Sequence, residues 1–275
     1  MKAYFFKRMP VWIENDWEQK DIVFTKEKFV PKHYVNQLPK RQIHANIFQM
    51  TPGNVYVDNE FPLSSKALRD HHVRRYLYQG CSLLLSSIDL ERTYNWKDLF
   101  QEYKQELAGI AIDHIVVPKI NLKYLTAEMV RYFALQRTPF ILVYTSEDLD
   151  LDHVKWGWLN QMQSISQIPL ACLEHPNSTT LFKFMHKHSL HTLPEIISVH
   201  PLSKESLTLT GISPKKGELQ IYGDADFNLH VPSNRGNINL QNPYISIIRG
   251  NVVKLNQTVY DQKGFGQYFE IMNKP

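Results

Sequence analysis

The sequence predicts an α/β protein in which a block of β-α units is inserted between two β-rich chain ends that pack on each other. Three observations carry this. From Lys2 to about Thr51 the chain reads as strands separated by polar or Pro-containing turns. Between Pro52 and about Leu202, short apolar runs alternate with amphipathic segments, as repeated β-α units do. After about Ser203 the strand texture returns. At 275 residues the chain is long enough to bury a substantial core, and a composition of 43% hydrophobic and 21% charged residues is that of a packed globule.

The first end contributes "KAYFFK", "DIVFTKEKFV" and "IHANIFQM" as strands. "TPGNVYVDNEF" then reads as a turn feeding a buried strand that ends on two carboxylates, Asp58 and Glu60. The middle supplies five strand-like runs, "NVYV", "SLLLSSI", "IDHIVV", "FILVY" and "PLACL", nearly all apolar, as parallel strands covered on both faces should be. "NWKDLFQEYKQEL" is the clearest helix, with Trp96, Leu99, Phe100, Tyr103 and Leu107 on one face and Asn95 placed to cap it. A second helix starts at Thr126, with Met129, Val130 and Phe133 as its inner stripe. In the last part, "GELQIYGDADFNLHV" reads as strand, turn at Gly223-Asp224, strand, and "YISIIRGNVVKL" as a hairpin around Gly250-Asn251.

A formal charge of +4 is too small and too dispersed to argue for nucleic acid, and no basic cluster is interleaved with aromatics. The start, "MKAYFFKRMPVW", lacks a signal-peptide pattern, and no apolar run reaches the roughly 18 residues of a membrane span, so a cytoplasmic protein is expected. Cys81 and Cys172 each stand beside an apolar run, as buried reduced thiols do.

Three stretches resemble the amidohydrolase superfamily, especially its dihydroorotase and N-acetylglucosamine-6-phosphate deacetylase branches. "DIVFTKEKFV...IHANIFQMTPGNVYVDNEF" is similar to the family's run into "PGxxDxHxHxx"; "LYQGCSLLLSS" is similar to the helix and second strand that follow. "HPLSKESLTLTGISPKKGELQIYGDADFNLHV...PYISIIRGNVV" resembles the closing "NPA...GL...KGxIxxGxDADxxxx...VxxVxxxGxxV". The resemblance implies a β-sandwich made by both chain ends, here 1–52 plus 203–275, around a (β/α) barrel, here 53–202. Only roughly 150 residues separate Pro52 from Leu202, whereas a complete barrel takes about 250, so the expected barrel is shortened or open.

Laid over "PGxxDxHxH", Tyr56 replaces the Asp, and Asp58 and Glu60 replace the two metal-binding histidines. Residues i and i+2 of a strand project to one side, so the pair could still share a ligand, of the harder kind that carboxylates suit. Chemistry in parallel barrels sits at the C-terminal strand ends. Those ends carry Asp58 and Glu60; Ser86, Ser87 and Asp89; Lys119 and Asn121; Tyr144 and Thr145; Glu174 and His175. A lysine at the depth of Lys119 would pair with Asp58 or Glu60.

The expected function is that of an amidohydrolase-like protein that has lost its dinuclear metal site and acts as a non-catalytic binding or scaffold protein. Such a protein needs no cofactor. Its uncovered edges favour a homo-oligomer or a protein partner, with neither nucleic acid nor membrane involved. One alternative is a hydrolase of non-peptide C–N (amide) bonds. There Asp58 and Glu60 would hold a divalent cation (Mg, Mn or Zn), Lys119 would stabilise negative charge, and Glu174 or His175 would move protons. Another is a metal-free small-molecule binder that keeps Tyr144 and Lys119. Three further motifs read as structural. His186, His188 and His191 in "FMHKHSLH" lack the i,i+4 spacing of a zinc helix. "DLDLDH" departs from a calcium loop and reads as a helix start with Asp152. "HHVRR", 71–75, reads as the solvated face of a helix, against an anion-binding patch.

Overall fold

The computed structural model describes residues 2–13, 16–37, 39–45, 47–90, 94–145, 151, 154–232 and 242–271. The first end forms β1 (Ala3–Ile13), β2 (Asp16–Phe24), β3 (Lys40–Ile43) and β4 (Gln49–Pro52). The middle runs β5 (Asn54–Val57), α1 (Arg69–Tyr78), β6 (Cys81–Asp89), α2 (Trp96–Glu106), β7 (Asp113–Asn121), α3 (Ala127–Leu135) and β8 (Ile141–Tyr144). It continues through α4 (Trp156–Ser166), β9 (Leu170–Leu173), α5 (Ser178–Lys187), β10 (Thr192–Ile197) and α6 (Lys204–Thr210). The chain closes with β11 (Phe227–His230), β12 (Ile245–Ile248), β13 (Asn251–Leu255) and β14 (Thr258–Val259).

Both ends build one eight-stranded sheet in the order β14-β13-β12-β11-β4-β1-β2, with β3 also on β1. β1 is bulged between Phe6 and Met9, with Arg8 at φ 50°, so its first half pairs with β3 and its second half reaches β4. Phe6, Phe24, Phe29 and Phe227 fill the core of this layer with ring centroids 5.3–6.5 Å apart. The hairpin β12–β13 turns on Arg249 and Gly250, both at positive φ, one residue earlier than the sequence suggests. At Gly250 a side chain would strike the Lys26 carbonyl.

The second sheet is an open, curled β/α half-barrel of parallel strands in sequential order, β5 through β10. It has six strands where five apolar runs were counted. The sixth, "TLPEII", is half exposed and contains Pro194, features of a sheet edge that dilute the apolar signal. The outer face packs under α1 to α5, whose inner sides supply Tyr76, Phe100, Tyr103, Phe133, Leu159 and Met185. On the concave face Val55, Val57, Leu83, Leu85, Ile115, Val117 and Leu142 meet Leu207 of α6 and the tail residues Phe269 and Ile271. Coverage on both faces is why these strands are continuous apolar runs. Across the open side, the Leu202 N–H donates to the Val55 carbonyl at 2.8 Å, tying the segment after β10 back to β5.

Two other readings are corrected. "GELQIY" alternates like a strand, but the chain from 217 to 223 runs in turns, and regular pairing begins only at Phe227. Asn95 stands at the N-cap of α2 without a side-chain bond, whereas the Thr126 hydroxyl caps α3 by accepting from the Met129 N–H at 3.2 Å. The "DLDLDH" stretch lies largely outside the described residues.

A buried charge cluster joins the two sheets. The Lys216 ammonium, 1% exposed, lies 2.7 Å from Asp113 at the start of β7. It also lies 3.1 Å from Asp224 and 2.5 Å from Asp226, both just before β11. The Arg249 side chain reaches Asp113 at 3.1 Å, and its backbone N–H donates to Asp226 at 2.7 Å. This is the physical content of "KKGELQIYGDAD": the glycine and turn residues bring one lysine and two aspartates to a third on the other sheet. Gly53 sits at the same joint, where a Cβ would overlap the Ser82 side chain, so β4 can pass into β5 only with glycine there.

Candidate functional site at the C-terminal rim of the half-barrel

The first rim strand stops at Val57, and Asp58 to Glu60 form the turn that follows. Along β5, Val55 and Val57 face the concave side and Tyr56 the helices; Asp58 continues the helix-facing parity and is completely buried. One Asp58 oxygen accepts the Leu63 N–H at 3.0 Å and the Ser86 hydroxyl at 2.8 Å. The other accepts the Ser87 N–H and hydroxyl, both at 2.7 Å. Ser86 is itself 2.7 Å from the Tyr103 hydroxyl of α2, and Tyr76 of α1 accepts the Phe61 N–H at 3.2 Å. Burial pushes the Asp58 carboxyl above its ordinary 3.8, while the Leu63, Ser87 and Ser86 donors pull it back. The same burial raises the hydroxyls of Tyr76 and Tyr103.

Glu60 is exposed and forms no ion pair with a described residue. The expected shared face of Asp58 and Glu60 is therefore absent, because the strand ends before either residue. The donor set also fails the test for a divalent ion: both Asp58 oxygens already accept two hydrogen bonds each and point into the helix layer. Among the described residues no group of three His, Cys, Asp or Glu is arranged to hold a metal.

Lys119 pairs with neither Asp58 nor Glu60. Parallel register sets it opposite Asp89 on β6, and its ammonium lies 3.3 Å from that carboxylate. It also sits 5.1 Å from the centroid of the Tyr144 ring, and the Tyr144 hydroxyl donates to Asp89 at 3.3 Å. Three adjacent strands thus place Asp89, Lys119 and Tyr144 in one half-exposed cluster on the concave side of the rim. The sequence supplied all three as strand ends; their grouping needed the register. Asn121 caps the short turn after β7 by accepting from the Lys123 N–H. Glu174 is exposed and His175 accepts from the Asn177 N–H at 3.3 Å, so no hydrogen bond or ion pair joins either to Lys119.

The histidines of "FMHKHSLH" disperse: His188 stacks on Trp156 at 4.7 Å and His186 packs on Phe182 at 4.5 Å. Cys81 and Cys172 are buried and unpaired, and burial raises the Cys172 thiol to about 12. The Lys216 cluster escaped sequence reasoning, although Asp113 immediately before an apolar run was its visible trace.

No protein-family model matches the chain, and no curated protein does. Solved structures do. A dihydropyrimidinase from Brevibacillus agri NCHU1002 superposes with a TM-score of 0.66 at 9% identity, covering 99% of this chain and 100% of that one. An L-hydantoinase from Arthrobacter aurescens gives 0.61 at 12% identity, covering 96% and 99%. A β-aspartyl dipeptidase from Fervidobacterium islandicum gives 0.55 at 13% identity, covering 94% and 98%. At these identities the likeness is one of fold alone.

Proposed function

We propose that this chain is a non-catalytic binding or scaffold protein built on a shortened amidohydrolase fold, related to the branch that the sequence motifs resemble. The observation that carries the reading is the occupation of the concave face. Leu202, Leu207, Ile212, Phe269 and Ile271 pack on the concave face, covering strands that the remaining units of a complete barrel would cover. The saturated, outward-facing Asp58 adds to it. A partner surface is available on α4, where Trp158 and Ile165 are 64% and 72% exposed at i,i+7. A second reading, a metal-free small-molecule binder, is favoured by the Lys119–Asp89–Tyr144 cluster, whose lysine side chain is 29% exposed on the concave rim.

Incubation of the purified protein with a hydantoin, a dihydropyrimidine and a β-aspartyl dipeptide, with and without added Zn, Mn or Mg, should release no product above buffer. Turnover that Asp58→Ala abolishes, in a variant that still melts cooperatively, would make the chain a hydrolase. Light scattering should find a dimer or larger species that Trp158→Glu dissociates; a monomer at every concentration contradicts the association.

A further inference from the structure

Helix α1 carries a stripe that the Asp58 network does not use. His71, Arg74, Arg75 and Tyr78 fall at i, i+3, i+4 and i+7, on one side of the helix. With Gln79 they form one wall of a groove of about 670 Å³, whose other wall is Gln257, Thr258 and Val259 at β14. A hollow of about 200 Å³, lined by Asn242 and Asn256, adjoins it through Tyr78 and Gln257. Together they are of the size that small ligands occupy.

Among the described residues, carboxylates do not balance the charge of this groove. Arg74 is paired with Asp261 at 2.8 Å. The Arg75 guanidinium lies 4.3 Å from the centroid of the Phe61 ring and has no carboxylate partner. Outside the groove lining, Lys254 is fully buried, its ammonium held by the neutral Asn242 side chain and Pro243 carbonyl, 4.1 Å from the Tyr78 ring. Burial alone lowers that amine to about 8, since no anion offsets it. Arg75 therefore lines the groove without a carboxylate partner among the described residues, with His71 and Arg74 beside it.

We propose that this groove binds a phosphorylated, hydroxyl-bearing small molecule. The phosphate dianion is held by Arg75 with His71 and Arg74, and a ligand hydroxyl meets the polar far wall of Gln257 and Thr258. A phosphate at neutral pH carries close to two negative charges, and its oxygens suit a guanidinium fork. The site uses a different stripe of α1 from Tyr76, so it stands or falls separately from the proposed function of the rim.

Calorimetric titration of the full chain with ribose 5-phosphate, inorganic phosphate and ribose tests this. Ribose 5-phosphate should bind, inorganic phosphate more weakly, and ribose not at all. Arg75→Gln should weaken ribose 5-phosphate binding about tenfold, the scale of one charge-assisted hydrogen bond. His71→Gln should weaken it by less, and Lys123→Gln, an exposed site elsewhere, should leave it unchanged. Thermal melting of Arg75→Gln within a few degrees of the parent separates lost contact from lost fold. Binding that survives Arg75→Gln in full, or no binding by either phosphate at millimolar concentration, overturns the proposal. So does sedimentation with phosphatidic acid vesicles that ribose 5-phosphate cannot reverse, which would make the groove a lipid surface.

Discussion

Replacing Lys216 with methionine should destabilise the protein by about 3–5 kcal/mol, the range for removing one partner from a buried ion pair. Lys216 faces three carboxylates, Asp113, Asp224 and Asp226, at 2.5–3.1 Å and is itself 1% exposed. Methionine fills a similar volume, so the loss measures charge and not a cavity. Without the ammonium, only Arg249 and two backbone N–H groups, from Arg249 and Gln267, are left to face the acids. Urea unfolding gives the difference, and a loss under about 1 kcal/mol would mean that the cluster does not hold the two sheets together. Adding Asp226→Asn to Lys216→Met should recover part of the loss, because the two residues share one interaction. The pH dependence has a definite sign. Burial would lower the lysine, but the three carboxylates overcome it and hold the amine above its ordinary 10.5. A cation held above its unfolded value stabilises fully below that value and loses its effect as pH rises through the folded one. The gap between parent and Lys216→Met should therefore be constant through neutral pH and narrow above about 10.5.

Asp58→Ala should cost about 2–4 kcal/mol, since it leaves the Leu63 and Ser87 N–H groups buried without an acceptor. Asp58→Asn should cost about 1–3 kcal/mol in spite of its shape, because each carboxylate oxygen meets a backbone donor and an amide offers only one oxygen. The acid side distinguishes these variants from the parent. Complete burial raises the Asp58 carboxyl above 3.8, so the folded protein takes up this proton before the unfolded chain does. On acidification through the raised value toward 3.8, the parent should gain stability relative to Asp58→Asn; a relative loss would place the folded value below 3.8 and contradict the burial argument.

The interior strands were legible because a chain covered on both faces leaves few readings for runs such as "SLLLSS" or "HIVV". β10 was not, since an edge strand with Pro194 and exposed positions mixes its signal with that of a loop. The alternation of "GELQIY" failed for the opposite reason: the pattern was present, but the Lys216 cluster and the Gly223 turn dictate the backbone there. Asp58 keeps the helix-facing parity of Tyr56, and because β5 stops at Val57 the exposed Glu60 does not share its surroundings. The partner of Lys119 followed from register alone, which sets Asp89 directly opposite.

The proposed function requires that Asp58 be a structural acceptor that holds no metal ion. Elemental analysis of protein expressed with added Zn and Mn, for the parent and for Asp58→Ala combined with Glu60→Ala, tests it most directly. The account predicts well under one divalent ion per chain in both. One or two ions per chain in the parent, lost in the double variant, would contradict it.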